Sequence, residues 1–112
     1  DSMAIFANAT VYFEFDKSSL TSKSIQTLKS AVDALNENTS IKVTLSGHAD
    51  ERGTREYNLA LGQRRAESVS DYLVLNGINK SRITVKSFGE EKPLAYGQDE
   101  SSYAKNRRVE IN

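Results

Sequence analysis

The apolar residues of this chain follow two repeating patterns, one typical of strands and one typical of helices. In four segments apolar and polar residues alternate, which places every second side chain on one face of a strand. These segments are residues 11–15, 41–45, 83–86 and 107–111. We expect Val11, Phe13 and Phe15 to face the core from the first strand, and the second strand to end at Gly47.

Two longer segments carry apolar residues at spacings of three and four, which is the period of an amphipathic helix. The first, residues 22–36, follows Thr21, whose hydroxyl suits an N-cap. The second, about residues 55–76, follows Thr54 in the same way, and Gly77 predicts a Schellman motif at its end. One face of the second helix is graded from small to large side chains: Gly62, Ala66, Val69 and Leu73. The glycine at its start predicts close packing of this helix against the sheet.

The order of these elements is strand, helix, strand, helix and then two strands, which predicts an α/β protein. We expect a two-layer α+β sandwich of the form βαβαββ, in which helices cover one side of a small mixed sheet. A short helical turn is expected around residues 101–106. The 112 residues suit a single domain over residues 1–112, with a core that needs neither metal nor disulfide support.

Composition and charge narrow the classes of function. Lys plus Arg and Asp plus Glu are equal at 15 each, and this zero formal charge argues against nucleic-acid binding. Cysteine is absent, so a cysteine redox centre and a zinc–thiolate site are both excluded. No apolar run approaches the roughly 20 residues of a helical membrane span.

Candidate chemistry is concentrated where the second strand leads into the second helix. Asn58, Leu61 and Arg65 form a second ridge beside the core face of that helix, and Asp50 lies in the loop before it. A carboxylate and a guanidinium held a few ångströms apart would bind the ammonium and the carboxylate of a zwitterionic amino-acid end group. The alternative for Asp50 and Arg65 is a structural salt bridge with no ligand.

The same region carries a longer pattern: Gly47-His48-Ala49-Asp50-Glu51-Arg52-Gly53-Thr54, Glu56-Tyr57-Asn58, Leu61-Gly62, Arg64-Arg65-Ala66 and the later Asn106-Arg107-Arg108. It resembles the peptidoglycan-binding domain of the outer-membrane protein A-like family, and the resemblance extends from about Val11 to Ile111. The Ala-Asp-Glu-Arg form of the loop favours the subgroup of peptidoglycan-associated lipoproteins over porin-linked members. Arg55 stands where many members have proline, which is favoured but not required at a first helical position.

The resemblance implies roles for individual residues. In the family an Asp and an Arg hold the meso-diaminopimelate of the peptidoglycan stem peptide, and these roles map to Asp50 and Arg65. Thr54 and Asn58 are expected to bind polar groups of the peptide, and Leu61 to pack on the methylene chain of the diaminopimelate.

The family pattern adds three further ligand-binding candidates, namely Phe15 and Asp16 after the first strand and Arg107 before the last one. For Arg107 and Arg108 the alternative is a role as charges at the edge of the sheet, which protect against aggregation.

The resemblance also implies a function. It predicts a non-enzymatic domain without a cofactor, which ties an outer-membrane lipoprotein to the cell wall from the periplasmic side and binds periplasmic proteins of the Tol system. A signal peptide, a lipidated cysteine and a linker would precede such a domain in the longer protein, so membrane attachment is expected through a lipid anchor. We further expect substitution of Asp50 or Arg65 by Ala to abolish wall binding without changing the fold.

Two other classes of function stay open. The charged loop could serve a protein-interaction module that does not bind the wall. His48 and Asp50 suggest a metal-dependent hydrolase. A metal site needs three or four ligands, however, and one histidine with Asp50 and Glu51 is a weak indication of one. No nucleophile-elbow pattern surrounds Ser46, so a serine hydrolase is not indicated.

Overall fold

The computed structural model describes residues 9–112, and it confirms the predicted two-layer α/β architecture. The strands are β1 (Thr10–Tyr12), β2 (Val43–His48), β3 (Ile83–Gly89) and β4 (Arg108–Ile111). The helices are α1 (Ser22–Glu37), α2 (Arg55–Leu75) and α3 (Glu100–Asn106), with a 3-10 turn at Lys80–Arg82 before β3. The four strands form one mixed sheet in the order β1-β4-β2-β3, in which β4 is antiparallel to both neighbours and β2 is parallel to β3.

The core lies between one face of the sheet and the helices α1 and α2. Alternate residues of the strands, Val43 and Leu45 for example, contact the apolar faces that the helical periodicity predicts. The cluster comprises Val11, Phe13, Leu28, Ala31, Val32, Leu35, Val43, Leu45, Ala66, Val69, Leu73, Ile78, Val109 and Ile111. Burial of this apolar surface is what holds the two layers together.

The predicted helix ends are confirmed. The Thr21 hydroxyl accepts a hydrogen bond from the backbone N–H of Ser24, and the Thr54 hydroxyl accepts one from Tyr57 N–H at 3.1 Å. At the end of α2, Ile78 N–H donates to the Leu73 carbonyl at 3.0 Å, which is the long bond of a Schellman motif. Both helices therefore begin where their capping residues indicate.

Two glycines let α2 approach the sheet closely, as Gly62 predicts. A Cβ on Gly47 of β2 would lie 1.8 Å from the carbonyl oxygen of Gly62 of α2, so the two backbones are in contact. A Cβ on Gly62 would lie 2.3 Å from the Ser87 hydroxyl of β3. This contact brings the first half of α2 against the end of β2, which is where the candidate site lies.

The prediction that Val11, Phe13 and Phe15 all face the core is correct for Val11 and Phe13 and wrong for Phe15. The strand ends at Tyr12, and the Phe15 side chain is 53% exposed instead of facing the core with Val11. The chain turns after Phe13, because Lys17 N–H donates to the Glu14 carbonyl at 3.1 Å. After Phe13 the chain is no longer part of the sheet, so the alternation of apolar and polar residues does not predict which side chains face the core.

The expected bounds of the other strands also change. β2 begins at Val43 rather than at residue 41 and continues through His48, because its parallel pairing with β3 extends past Gly47. β3 correspondingly runs to Gly89, which has a φ of +54°. β4 begins at Arg108, not at residue 107, and lies inside the sheet. The alternative of edge charges is therefore wrong for Arg107 and Arg108, which are 7% and 2% exposed.

Candidate ligand-binding site

A cavity of about 240 Å³ lies between the end of β2, the first half of α2 and the turn that follows β1. It is lined by Phe15, Asp16, Ala49, Asp50, Arg52, Gly53, Tyr57, Asn58, Leu61 and Arg65. Six of the eight ligand-binding candidates from the sequence are in this lining, and Thr54 and Arg107 lie beside it. The cavity has a buried wall, formed by Asp50, Asn58, Leu61 and Arg65, and an exposed rim, formed by Phe15, Asp16, Arg52 and Tyr57.

Arg65 is the most deeply buried charge of the wall, with 0% exposure. Its guanidinium donates to three backbone carbonyls, those of Lys17 at 2.8 Å, His48 at 2.9 Å and Glu14 at 3.1 Å. Burial lowers the pKa of Arg65 to about 10, so the group keeps its positive charge at neutral pH. An arginine has five N–H donors, so two of them remain for a ligand.

Asp50 is 4% exposed, and its partner is Arg52 instead of Arg65. Oδ1 accepts hydrogen bonds from the backbone N–H of Arg52 at 3.0 Å and from its Nε at 3.2 Å, while Oδ2 accepts from Nη2 at 2.9 Å. Burial by itself raises the pKa of the Asp50 carboxyl, but the hydrogen bonds and charge of Arg52, with the charge of Arg107, outweigh it and lower that pKa. Asp50 is therefore a carboxylate at neutral pH.

Arg107 contacts Asp50 from outside the cavity. Its Nη1 lies 3.7 Å from Asp50 Oδ2, its Nη2 donates to Glu100 at 2.9 Å, and its Nε donates to the Phe13 carbonyl at 2.8 Å. It does not line the cavity. Its position explains why a residue 57 positions away from Asp50 contributes to the same charge network.

The remaining polar groups near the wall hold the loop in place. Asn58 is 1% exposed, and its Nδ2 donates to the Arg52 carbonyl at 3.2 Å and to Glu90 Oε1 at 2.9 Å. Thr54 caps α2 beside the cavity. Leu61 is 4% exposed and supplies the apolar part of the wall.

The exposed rim is held by contacts among its own members, with Asp50 of the wall and with α3. The Tyr57 hydroxyl donates to Asp16 Oδ1, and this bond raises the pKa of Tyr57. Asp16 has a φ of +58°, which is uncommon for a residue other than glycine. The Arg52 guanidinium lies between two aromatic rings, 4.1 Å from the centroid of Phe15 and 4.2 Å from that of Tyr103.

His48 lies outside the cavity lining and is 2% exposed. Its ring stacks on Phe88 with 5.5 Å between centroids, and its Nε2 is 4.0 Å from Glu110 Oε2. Within residues 9–112 neither ring nitrogen has a hydrogen-bond partner. Burial, together with the charges of Arg108 and Lys92, lowers the pKa of His48 to about 4 in spite of Glu110.

Sequence reasoning gave Arg52 and Tyr57 no firm place in the site. Both residues belong to the family pattern, but neither was assigned a ligand-binding role from it. Their roles depend on Phe15, Tyr103 and Asp16, which are far away in sequence, so no local pattern reveals them.

In the part of the chain that the structure describes, no three His, Cys, Asp or Glu side chains are grouped so that they could hold a metal ion. Over the same residues, no helix combines the length and the apolar character that crossing a membrane requires.

Comparison with known proteins identifies the family. Residues 12–107 match the model of the OmpA family, so the chain belongs to the OmpA family. It is 47% identical over 111 residues to the peptidoglycan-associated lipoprotein of Pseudomonas aeruginosa, with 99% of this chain and 66% of that protein covered. It is 48% identical over 100 residues to the lipoprotein of the same name from Haemophilus influenzae, with 89% of this chain and 65% of that protein covered. The chain thus spans about two thirds of the length of these relatives.

Solved structures agree with this assignment. The crystal structure of the peptidoglycan-associated lipoprotein from Burkholderia pseudomallei superposes with a TM-score of 0.91 at 42% identity, covering 94% of this chain and 89% of that one. The OmpA-like domain of FopA1 from Francisella tularensis superposes with a TM-score of 0.80 at 29% identity, covering 91% of this chain and 68% of that one. The strong likeness to the first structure confirms the expected subgroup resemblance.

Proposed function

We propose that this domain binds peptidoglycan without a covalent bond, through the meso-diaminopimelate of the stem peptide. The observation that carries the proposal is the presence of a buried carboxylate, Asp50, and a buried guanidinium, Arg65, in one cavity without a salt bridge between them. The free end of diaminopimelate carries both an ammonium and a carboxylate, so it offers one partner to each. The names of the relatives, which are peptidoglycan-associated lipoproteins, support the same ligand.

In this proposal each group of the site has one task. Asp50 accepts hydrogen bonds from the ligand ammonium, and Arg65 donates its two remaining N–H groups to the ligand carboxylate. Leu61 packs against the methylene chain, while Asn58 Oδ1 and the Thr54 hydroxyl bind polar groups of the peptide. Asp16 and Phe15 contact the ligand at the rim, and Arg107 stabilises Asp50 from behind.

We infer that the domain has a binding role and no catalytic one. His48, the one histidine of the chain, packs against Phe88 outside the cavity, where it is not available to activate water beside Asp50. Metal analysis of the purified protein tests the hydrolase alternative, since a stoichiometric bound metal would support that alternative instead.

We further propose that the full-length protein is lipid-anchored in the outer membrane, with this domain on the periplasmic side, where it ties the membrane to the wall as part of the Tol–Pal system. The exposed apolar side chains Leu94 and Tyr96, 56% and 84% exposed, support a role in contacts with periplasmic Tol proteins. Competition between a stem peptide and a Tol protein in a pull-down would show whether the two ligands share a surface.

Titration with a defined stem peptide tests the ligand assignment. A diaminopimelate peptide should bind roughly tenfold to a hundredfold more tightly than its lysine counterpart, because lysine lacks the second carboxylate and leaves Arg65 without its charged partner. Asp50→Asn should weaken binding of both peptides at least tenfold, since both present an ammonium to Asp50. Calorimetry gives both affinities.

Asp71→Asn is the matched control for that substitution. Asp71 is exposed on α2, far along the helix from the cavity, so its loss should leave both affinities unchanged. Equal affinity of the wild-type protein for the two peptides, or undiminished binding by Asp50→Asn, would contradict the assignment.

A further inference from the structure

The carboxylate that the ligand ammonium needs is already occupied. Both oxygens of Asp50 accept hydrogen bonds from the Arg52 side chain, at 3.2 Å and 2.9 Å, in the parallel arrangement typical of a strong arginine–carboxylate pair. Arg52 also lines the cavity, so its guanidinium is in the space that a ligand would enter. An ammonium cannot make the same contacts with Asp50 while Arg52 holds them.

We propose that Arg52 is a resident counter-cation of Asp50, which the ligand ammonium must displace, and that Arg52 thereby sets the affinity of the site. This inference rests on the function proposed above. It assigns Arg52 the role of a competitor of the ligand, whereas proximity alone would suggest that it is a ligand-binding residue.

The surroundings of Arg52 allow such an exchange at low cost. Its side chain is 36% exposed, in contrast to 5% for Asp50, so Arg52 is the partner that water can reach. Glu100 Oε1 lies 3.8 Å from Arg52 Nη2, and this carboxylate, which is 69% exposed and also accepts hydrogen bonds from Arg107, places a second negative charge near the displaced guanidinium. The rings of Phe15 and Tyr103 flank the guanidinium, so it can turn towards Glu100 without leaving its aromatic contacts.

Arg65 has no comparable freedom. All three of its nitrogens donate to backbone carbonyls, and it is fully buried. The two arginines of the cavity therefore differ in kind: Arg65 is a fixed receptor for an anion, and Arg52 is an exchangeable cation in front of Asp50.

Arg52→Gln separates the competitor role from a direct role in binding. If Arg52 is a competitor, the substitution should tighten binding of a diaminopimelate stem peptide roughly threefold to tenfold, since the pair that has to be broken is partly exposed. It should tighten binding of the lysine counterpart by the same factor, because both peptides present the ammonium. It should not tighten binding of a diaminopimelate peptide whose free ammonium is acetylated, because that peptide has no cation for Asp50.

Two controls make the result specific. Arg55→Gln removes the same charge three residues away, where Arg55 pairs with Glu91 at 2.6 Å, and it should leave all three affinities unchanged. In an Asp50→Asn background, Arg52→Gln should no longer tighten binding, because the carboxylate that it releases is gone. A thermal melt of each variant checks that the fold is retained.

An independent measurement follows the arginine itself. The Nε–H proton of Arg52 should exchange with water slowly in the free protein and faster after the diaminopimelate peptide is added, as observed by NMR. An unchanged exchange rate would overturn the displacement.

The outcomes distinguish this inference from the function on which it rests. If the wild-type protein binds the diaminopimelate peptide and Asp50→Asn weakens that binding, but Arg52→Gln leaves it unchanged or weaker, only the competitor role fails. If Arg52→Gln weakens binding of the diaminopimelate peptide but not of the lysine peptide, Arg52 is a partner of the ligand carboxylate instead. If the wild-type protein binds none of the peptides, both the proposed function and the competitor role fail.

Discussion

The buried wall and the exposed rim of the cavity carry similar chemistry but are held in different ways. Arg65 of the wall is 0% exposed and donates to three backbone carbonyls in two separate segments. Arg52 of the rim is partly exposed and bound to side chains, namely Asp50 and two aromatic rings. The wall is therefore part of what holds the fold together, whereas the rim can rearrange without disturbing the core.

A residue that binds the ligand can therefore also stabilise the fold. The Glu14 and Lys17 carbonyls belong to the turn where β1 has already ended, and the guanidinium of Arg65 pairs with them in place of a neighbouring strand. The charge that is proposed to receive the ligand thus also completes the backbone hydrogen bonding of the chain before α1. Substitutions in the wall should lower stability and binding together, whereas substitutions in the rim should have little effect on stability.

The largest effect is expected for Arg65→Met. The Met side chain is of similar length, but three backbone carbonyls lose a hydrogen bond from a charged donor, so the free energy of unfolding should fall by roughly 3–5 kcal/mol. Urea denaturation measures this loss. The expectation from the sequence, that the corresponding alanine variant keeps its fold while losing only wall binding, is thereby revised. Arg64→Met, an exposed neighbour on α2, is the control and should change stability by less than about 0.5 kcal/mol. An Arg65→Met protein that is as stable as the wild type but fails to bind would show that Arg65 serves binding alone.

The next effect concerns His48, whose backbone carbonyl accepts a hydrogen bond from Arg65. The pKa of its ring is lowered to about 4 from 6.5, so the unfolded chain binds a proton between these values and the folded protein does not. The contribution of neutral His48 to the free energy of unfolding is fully present above pH 6.5, and it is lost as the pH falls towards 4. The loss should reach roughly 3 kcal/mol near pH 4, at 1.36 kcal/mol for each unit of pKa shift.

His48→Leu tests this pH dependence. The variant should lose the fall in stability between pH 6.5 and 4, because Leu has no ring to protonate, while Asp50 and the other carboxylates with lowered pKa values contribute mainly below that range. Thermal melts of both proteins at intervals across the range measure the difference. If the melting temperatures of the two proteins fall in parallel as the pH is lowered, burial does not lower the pKa of His48.

The smallest effect is expected in the rim, for Tyr57→Phe. The change removes the hydrogen bond between the Tyr57 hydroxyl and Asp16, both of which are exposed, so the free energy of unfolding should fall by about 0.5 kcal/mol or less. Binding of the diaminopimelate peptide should change by no more than about twofold. Urea denaturation and calorimetry check the two values, and a loss of stability near that of Arg65→Met would show that the rim also supports the fold.

Much of the architecture could be predicted because it depends on neighbouring residues. The caps at Thr21 and Thr54, the graded face of α2 and the alternation in β4 are each decided within a few positions, so the sequence shows them directly. The grouping of Asp50 with Asn58, Leu61 and Arg65 follows from the same local geometry, since a short loop leads into a helix. The close approach of α2 to the sheet was likewise predictable from Gly62.

The partner of each charge could not be predicted, because the groups that select it come from distant segments. Asp50 pairs with Arg52 because Phe15 and Tyr103, which are 37 and 51 positions from Arg52, hold the guanidinium between their rings. Phe15 faces outward because the chain before it turns to meet Arg65. Local patterns therefore predict the helices, the strands and the position of Asp50 beside Asn58, Leu61 and Arg65. Which guanidinium pairs with Asp50 depends on the folded chain, because the rings that flank Arg52 come from distant segments.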